Sequence, residues 1–349
     1  MTTTKTLDQI MAPITVAFQQ LATQLITIGS KGTVLYATKD TTLTTDFAVQ
    51  TFNSALSLSI TNATVKSNVQ QMFNKGTSKV ILFSYKTDLD SVSTQLDKLG
   101  FNYLVSDDAA SQTTVELYAK EKGAFAVVFD IAADNMDIIN CTNPTVTPSG
   151  GTTIPMVQYL PIVAGALAGV PYDKSASSVI FTDLDSVEMP EEMHDGEFLL
   201  YNEDDGVRVA SSINSLVTLS ENITADMQSI CIVEGMKRLE SDVKYAFRTQ
   251  YKGHYKNDYD NQKLFFAALN YGYLTTLVNL RIIDPDYANT AGVDVDTQRL
   301  AWLADGKAEA ETWTDAQVKN YAYKNIIFPL IDAKFLDAIE GMQMRVNMY

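Results

Sequence analysis

The first half of the chain alternates between two hydrophobic periods. Residues 79–85, Lys-Val-Ile-Leu-Phe-Ser-Tyr, are apolar on both faces, as expected for a strand that is covered on both sides of its sheet. Helical spacing follows at 88–99 and 113–120, and further strands are predicted at 101–105 and 125–131. Because strands and helices alternate at short intervals, this region predicts a layered α/β core with parallel strand pairs.

The middle of the chain contains a long uncharged stretch between Asp137 and Asp173. Its apolar part, 157–170, is shorter than the roughly 20 residues that a membrane-spanning helix needs, so we predict a buried helix packed through small residues. Residues 140–155 are rich in Thr, Pro and Gly and predict a loop. A turn at 203–206 separates two short apolar runs, which predicts a β-hairpin.

The second half has longer helical patterns and ends in alternating residues. Residues 225–247 and 262–280 have helical periodicity, whereas 284–315 are polar and predict a surface excursion. Strands are predicted at 325–334 and 338–349. The overall fold class is therefore mixed α and β, with a layered core of helices and a mixed β-sheet.

Strict alternation of apolar and polar residues marks both ends of the chain. Terminal strands with open edges can add to the sheet of a neighbouring molecule, although they can also fold back into their own sheet. We predict extended arms at residues 1–20 and 337–349 that pair between subunits. The apolar residues expected to link subunits in this way are Ile14, Val16, Phe18, Met342, Met344, Val346 and Met348.

The charge of the chain excludes one class of function. There are 26 basic and 42 acidic residues, which gives a formal net charge of −16, and a general nucleic-acid-binding protein needs the opposite sign. Residues 237–263 reverse this balance and predict a surface that contacts an acidic partner; the alternative is a solvated helix face with ion pairs four residues apart. The predicted contact residues are Lys237, Arg238, Lys244, Arg248, Lys252 and Lys256.

Motifs of catalysis and cofactor binding are missing from the sequence. It lacks a phosphate-binding loop and a dinucleotide fingerprint, and the two histidines, His194 and His254, have no partner at metal-binding spacing. The cysteines, Cys141 and Cys231, do not suffice for a zinc site or a disulfide scaffold. We therefore predict no catalytic residue, no cofactor and no metal. An α/β enzyme with an unrecognised site stays open as an alternative.

Several segments of the second half carry distinctive motifs. Residues 196–202 read Gly-Glu-Phe-Leu-Leu-Tyr-Asn, and 232–236 read Ile-Val-Glu-Gly-Met. Residues 257–261 read Asn-Asp-Tyr-Asp-Asn, and an Ala/Gly helix at 159–171 and the end of the chain at 335–346 complete the set. In order and spacing these segments resemble a known family, the contractile tail sheath proteins of phages and phage-tail-like particles. The resemblance is strong from about 155 to the end.

This resemblance implies a structural subunit rather than an enzyme. Such proteins polymerise as stacked rings around an inner tube in a metastable extended state, then contract and drive the tube through a cell envelope. The implied partners are further copies of the chain, the tube protein, and baseplate and tail terminator proteins, with no nucleic acid and no direct membrane insertion. The implied location is a virion or phage-tail-like particle assembled in the bacterial cytoplasm. A non-contractile virion protein is the other alternative.

The resemblance also suggests a division of the chain. We expect an N-terminal arm at 1–20, an N-terminal α/β part at 21–180, a C-terminal sheath domain at 181–336 that lies closest to the tube, and a C-terminal arm at 337–349. The cationic stretch would then belong to the domain that faces the tube.

Overall fold

A computed structural model describes residues 31–347 of the chain. They form two compact units. One unit comprises Gly235–Leu336, and the other comprises the described parts of Ser30–Glu234 and of Asp337–Tyr349. The division falls after residue 234, whereas the sequence suggested one near 180.

The unit that contains residues 31–234 is built on thirteen strands. In chain order they are β1 (Thr33–Lys39), β2 (Phe47–Phe52), β3 (Lys79–Tyr85), β4 (Tyr103–Ser106), β5 (Phe125–Phe129), β6 (Ile138–Cys141), β7 (Thr145–Pro148), β8 (Ile154–Pro155), β9 (Ile180–Phe181), β10 (Leu184–Val187), β11 (Glu197–Phe198), β12 (Leu200–Glu203) and β13 (Gly206–Val209). Its α-helices are α1 (Ala63–Asn74), α2 (Gln112–Lys122) and α3 (Met156–Gly169). Short 3-10 helices lie at Ala55–Ser57, Asp90–Lys98, Ala109–Ser111, Ala176–Ser178 and Ala225–Gln228.

Seven of these strands form one mixed sheet in the order β11-β6-β5-β4-β1-β3-β2. All neighbours are parallel except the edge strand β2, which runs antiparallel to β3. Three-stranded sheets are formed by β10-β7-β8 and by β12-β13-β9. This arrangement confirms the predicted layered α/β fold with parallel strand pairs.

Side chains of β1 show why its sequence is continuously apolar. Val34 and Tyr36 belong to a core cluster that also contains residues of α1 and α3. Leu35 and Ala37, which point to the opposite face, belong to a second cluster with residues of α2. Both faces of the sheet are therefore buried, and successive residues of a strand point to opposite faces, so no polar position is left in this strand's centre.

The uncharged segment forms helix α3, as predicted, and its glycines allow it to approach α1 closely. A Cβ atom on Gly165 would come within 2.8 Å of the Cα of Met72, and one on Gly169 would come within 2.2 Å of the carbonyl oxygen of Lys75. Thr77 at the end of this contact donates its hydroxyl to the carbonyl oxygen of Gly165 at 2.9 Å. The small residues of the segment are thus explained by helix packing.

The other unit is mainly helical. Its elements are the C-terminal part of α4 (Ile230–Ala246), then α5 (Tyr259–Ala267), α6 (Thr275–Asn279), α7 (Val295–Ala304), α8 (Asp315–Asn320), and the strands β14 (Thr290–Val293) and β15 (Pro329–Asp332). Two π-helical segments, Phe247–Tyr251 and Ala268–Leu274, continue α4 and α5, and a 3-10 helix lies at Ala308–Thr312. Buried Phe265, Leu269 and Tyr273 form part of the core of this unit.

Three predictions from the sequence differ from the structure. Residues 140–155 contain β7 and β8, and residues 284–315 contain β14 and α7, because these polar stretches gain their order from hydrogen bonds with segments distant in the chain. Residues 338–347 have no regular secondary structure and no strand partner among the described residues. In the part of the chain described, no helix is long and apolar enough to cross a bilayer.

Candidate assembly surfaces

The first cation of interest, Arg238, is buried in α4. Its Nε donates to Oδ2 of Asp242 at 2.7 Å, and the two side chains are only 7% and 8% exposed. Tyr273 donates its hydroxyl to the same carboxylate oxygen at 2.9 Å. Arg238 therefore stabilises its own unit and does not present a charge at the surface, in contrast to its predicted contact role.

Other cations of the stretch 237–263 have acidic partners on their own helices. Lys244 pairs with Glu240 four residues earlier, and Lys263 pairs with Asp260 three residues earlier. These pairs are exposed, and exposed pairs contribute little to stability. For these residues the alternative of a solvated helix face is what the structure shows, while Lys237 is half-buried.

Three cations differ from the rest because no acidic side chain of the described residues forms an ion pair with them. Arg248, Lys252 and Lys256 are all exposed, and all three line one groove of about 330 Å³. Polar but uncharged side chains complete its lining, among them Asn257 and Gln262. The sequence placed these cations in one stretch; the structure brings them to one concave site.

Aromatic rings form the inner part of this cationic groove. Tyr251 and Phe265 contact each other edge to face with their ring centroids 4.9 Å apart, and both are buried. Burial raises the pKa of Tyr251 to about 12, with a smaller contribution from Tyr255, so its hydroxyl stays protonated at neutral pH. Phe247 and Tyr251 begin and end a π-helical segment, a feature that often occurs at functional sites.

One buried polar atom of the groove lacks a hydrogen-bond partner. Gln262 is 3% exposed and donates through Nε2 to Oδ1 of Asn257 at 2.8 Å. Its Oε1 has no partner among the described residues. A buried acceptor without a partner costs free energy, on the order of 1–3 kcal/mol. This acceptor is enclosed beneath the groove surface, so what the groove offers to an incoming group is its positive charge.

A second surface is the edge of the two-stranded sheet β14-β15. Ala291 of β14 is opposite Ile331 of β15. The backbone N–H of Ala291 donates to Oδ1 of Asn270 at 2.7 Å, and its carbonyl oxygen accepts from Nδ2 of Asn270 at 2.8 Å. The outer edge of β14 is thereby occupied by an amide side chain.

The edge of β15 is open. Because both backbone groups of Ala291 point away from β15, the pair Ala291–Ile331 is a non-hydrogen-bonded pair, and the backbone groups of Ile331 point away from β14. No strand of the described residues pairs with β15 on that side. A sheet of only two strands is marginally stable and gains from a third strand. The outer edge of β15 thus has unpaired backbone groups at Ile331 among the described residues.

The C-terminal segment is attached to its own unit only at its beginning. Ser229, which precedes α4, donates its hydroxyl to Oδ1 of Asp337 at 2.8 Å. Glu340 accepts hydrogen bonds from the hydroxyls of Ser175 and Ser177. Beyond Glu340, residues 341–347 are all exposed.

The predicted arm residues in this segment are unusually exposed for apolar side chains. Met342, Met344 and Val346 are 80%, 71% and 70% exposed. Exposed apolar residues in series mark an interaction site. The remaining predicted arm residues, Ile14, Val16, Phe18 and Met348, lie outside the described residues.

The start of the described chain is fixed near the same helix as the C-terminal segment. Lys31 pairs with Glu234 in the first turns of α4 at 2.5 Å, and both side chains are buried. The hydroxyl of Tyr103 also donates to this carboxylate, and burial together with Glu234 raises the pKa of Tyr103. The Lys31 ammonium lies 4.9 Å from the ring centroid of Tyr172. Residues 229–234 thus hold the bases of both terminal segments.

Two carboxylates lie just beyond the carboxyl end of a parallel strand, the position at which α/β enzymes bind ligands. Tyr36 and Thr38 donate their hydroxyls to Oδ2 of Asp107, and Tyr85 donates to Asp108 at 2.8 Å. These carboxylates are occupied by hydroxyls of their own unit. No group of three or more metal-ligating side chains occurs in residues 31–347.

The open strand edge, the exposed terminal segment and the cationic groove are features of a protein that assembles with other proteins. Comparisons with known proteins agree. Residues 223–348 match the family model of the phage tail sheath C-terminal domain. The tail sheath protein of Clostridium phage phiCD119 is 28% identical over 362 aligned positions, which cover 96% of this chain and 98% of that protein.

Solved structures with a similar fold are also sheath proteins. The sheath tail protein of Listeria innocua has a TM-score of 0.64 at 14% identity, covering 93% of this chain and 99% of that one. The helical sheath of the anti-feeding prophage in its contracted state has a TM-score of 0.66 at 14% identity, covering 93% and 96%. The chain is therefore similar over almost its whole length to contractile tail sheath proteins, and its residues 223–348 match the C-terminal domain of that family. It is a structural subunit of the tail sheath of a phage or phage-like particle.

Proposed function

We propose that this protein polymerises around an inner tube in an extended, metastable state and contracts to drive the tube through a target cell envelope. The observation that supports this most directly is the exposed C-terminal segment, which offers Met342, Met344 and Val346 to a partner outside its own subunit. The work of contraction then comes from many interfaces that each gain a few kcal/mol on rearrangement, an ordinary difference between two packed arrangements. No cofactor or nucleotide is consumed.

The terminal arms link subunits in this proposal. The segment after Glu340 adds as a strand to the open edge of β15 in a neighbouring copy, where the outward backbone groups of Ile331 supply hydrogen bonds. Residues 1–20 are proposed as the second arm. Because the C-terminal segment is held to its own subunit near Asp337 and Glu340 and is exposed beyond them, subunits can reorient while this link persists.

The cationic side of Gly235–Leu336 contacts the tube or the acidic surface of a neighbouring subunit in this proposal. The residues that remain available for such contacts are Arg248, Lys252 and Lys256, which line the groove, whereas Lys244 is paired with Glu240. Further partners are baseplate and tail terminator proteins, and assembly takes place in the bacterial cytoplasm.

Electron microscopy of the purified full chain tests this function. The protein is compared with a variant that ends at residue 337, and particles formed with the tube protein are measured before and after mild denaturant or acid. We expect the full chain to form sheaths that shorten and widen, and the shortened variant to stay a folded monomer. Full-length sheaths from the shortened variant would contradict the arm; tubes of constant length would contradict contraction.

A further inference from the structure

The cationic groove described above has no acidic partner for its charges among the described residues of its own subunit. These charges belong to three cations, Arg248, Lys252 and Lys256. Positive groups held together on a concave, partly buried surface attract anions more strongly than isolated surface charges do. A volume of about 330 Å³ accommodates a few side chains of a turn rather than a whole element.

A matching projection exists elsewhere in the same chain. The turn between β12 and β13 carries three consecutive acidic residues, Glu203, Asp204 and Asp205, all of them exposed. Asp205 is held by the Arg208 guanidinium, which donates to it through Nε at 3.0 Å and also through Nη2. Glu203 and Asp204 form no ion pair with the described residues. The tip is therefore a β-hairpin end with two carboxylates outside any ion pair of the described residues, of which Glu203 accepts a hydrogen bond from the Tyr201 hydroxyl.

We propose that the groove of one copy receives the acidic turn 203–206 of a second copy. The inference rests on the sheath function proposed above and names the partner of its cationic side. Two carboxylates then meet the three cations that line the groove. The protein has a net charge of −16, so a local contact of opposite charges is what allows like-charged copies to approach.

A contact between two different surfaces is the kind that a helical assembly requires. The turn and the groove are different surfaces, so each copy uses one to bind the next copy and keeps the other free. Contacts of this heterologous type generate rings or open helical filaments, whereas a self-complementary patch would stop at a dimer. A helical sheath therefore calls for at least one pair of unlike, complementary surfaces, and these two have the required charges.

Charge reversal on each side, and on both sides together, tests the contact. The variants are Lys252→Glu with Lys256→Glu, Glu203→Lys with Asp204→Lys, and the four changes combined in one chain. Assembly of the full chain without tube protein is followed by sedimentation and electron microscopy. Each double variant should raise the critical concentration at least about tenfold, and the combined variant should return to within about threefold of the unmodified protein, because the attraction is restored with reversed signs.

Controls separate this contact from general charge effects and from the sheath function itself. Glu191→Lys with Glu192→Lys changes the net charge equally at another exposed acidic pair and should assemble normally. Circular dichroism and thermal unfolding verify that every variant is folded. The proposal is overturned if the combined variant is as defective as either double variant. It is also overturned if groove reversal abolishes only tube decoration while tube-free sheaths still form, which would assign the groove to the tube. If the unmodified chain forms no sheath under any condition, the proposed function fails instead.

Discussion

Asn270 hydrogen-bonds to both backbone groups of Ala291, at 2.7 and 2.8 Å, and so occupies the outer edge of β14. This contact makes the two-stranded sheet asymmetric, because a strand can add only next to β15. An amide side chain can imitate a paired strand at a single residue, since it offers one acceptor and two donors. The direction in which the sheet can grow is thus fixed by one side chain from a distant π-helical segment.

The open edge predicts the effect of a proline at position 331. Ile331→Pro removes an N–H that points away from β14, so the pairing within the subunit is kept while one hydrogen bond to an added strand is lost. We expect a folded monomer that assembles poorly. Leu330→Pro is the contrasting variant, because Leu330 forms a hydrogen-bonded pair with Gly292. A proline there removes a backbone N–H that points toward β14 and should destabilise the sheet itself. Equal unfolding midpoints for the two variants would argue against this assignment of the edge.

A substitution of Met344 should impair sheath assembly without affecting the folding of the monomer. Because Met344 is 71% exposed, Met344→Asp should leave the free energy of unfolding of the monomer unchanged. In a sheath in which this side chain is buried against the acceptor subunit, the same change buries a carboxylate without a partner, which is unfavourable by several kcal/mol, so sheaths should not form. Denaturant titration and electron microscopy measure the two effects.

Arg345→Gln is the matched control for this variant. Arg345 neighbours Met344 and points to the other face of an added strand, so assembly should be little affected. Equal impairment by both substitutions, or unfolding of the Met344→Asp monomer, would refute strand donation.

The buried ion pair predicts a stability effect at Arg238. Arg238→Met leaves the buried carboxylate of Asp242 without its charge partner and should lower the free energy of unfolding by about 3–5 kcal/mol. Arg238→Met combined with Asp242→Asn should be less destabilising, because the charge is removed and Tyr273 keeps an acceptor. Urea denaturation of the monomer checks both values. If Arg238→Met abolished assembly without lowering the stability of the monomer, Arg238 would instead be a residue that contacts a partner.

Cys231 provides a chemical probe of the base of the C-terminal segment. Burial, followed by the negative charges of Glu234 and Asp337, raises the pKa of Cys231 to about 11. The rate of its alkylation should therefore continue to rise with pH up to about 11, beyond the range of an ordinary thiol near 8.5. Asp337→Asn should lower this pKa, because it removes one negative charge. The same profile with and without Asp337→Asn would indicate that the segment does not lie there.

Much of the fold followed from local pattern. The strand at Lys79–Tyr85, the helix Met156–Gly169 and the hairpin β12-β13 are fixed by continuous hydrophobicity, small residues and a turn sequence, and all three are present as predicted. The strand β14 and the helix α7 were not predicted. Their polar sequences do not have a clear period, and their order depends on partners such as Asn270 and residues 329–332, which sequence spacing does not reveal.

The candidate site divides in the same way. Local composition alone shows that residues 237–263 are cationic on an acidic protein and that the last residues alternate between apolar and polar. Which of these cations are neutralised depends on the folded structure. Arg238 is buried with Asp242 and Lys244 pairs with Glu240, whereas Arg248, Lys252 and Lys256 are left to line one groove. The sequence gives the number and position of charged residues. Whether a charged side chain can contact a partner depends on its burial and on the neighbours that packing brings to it.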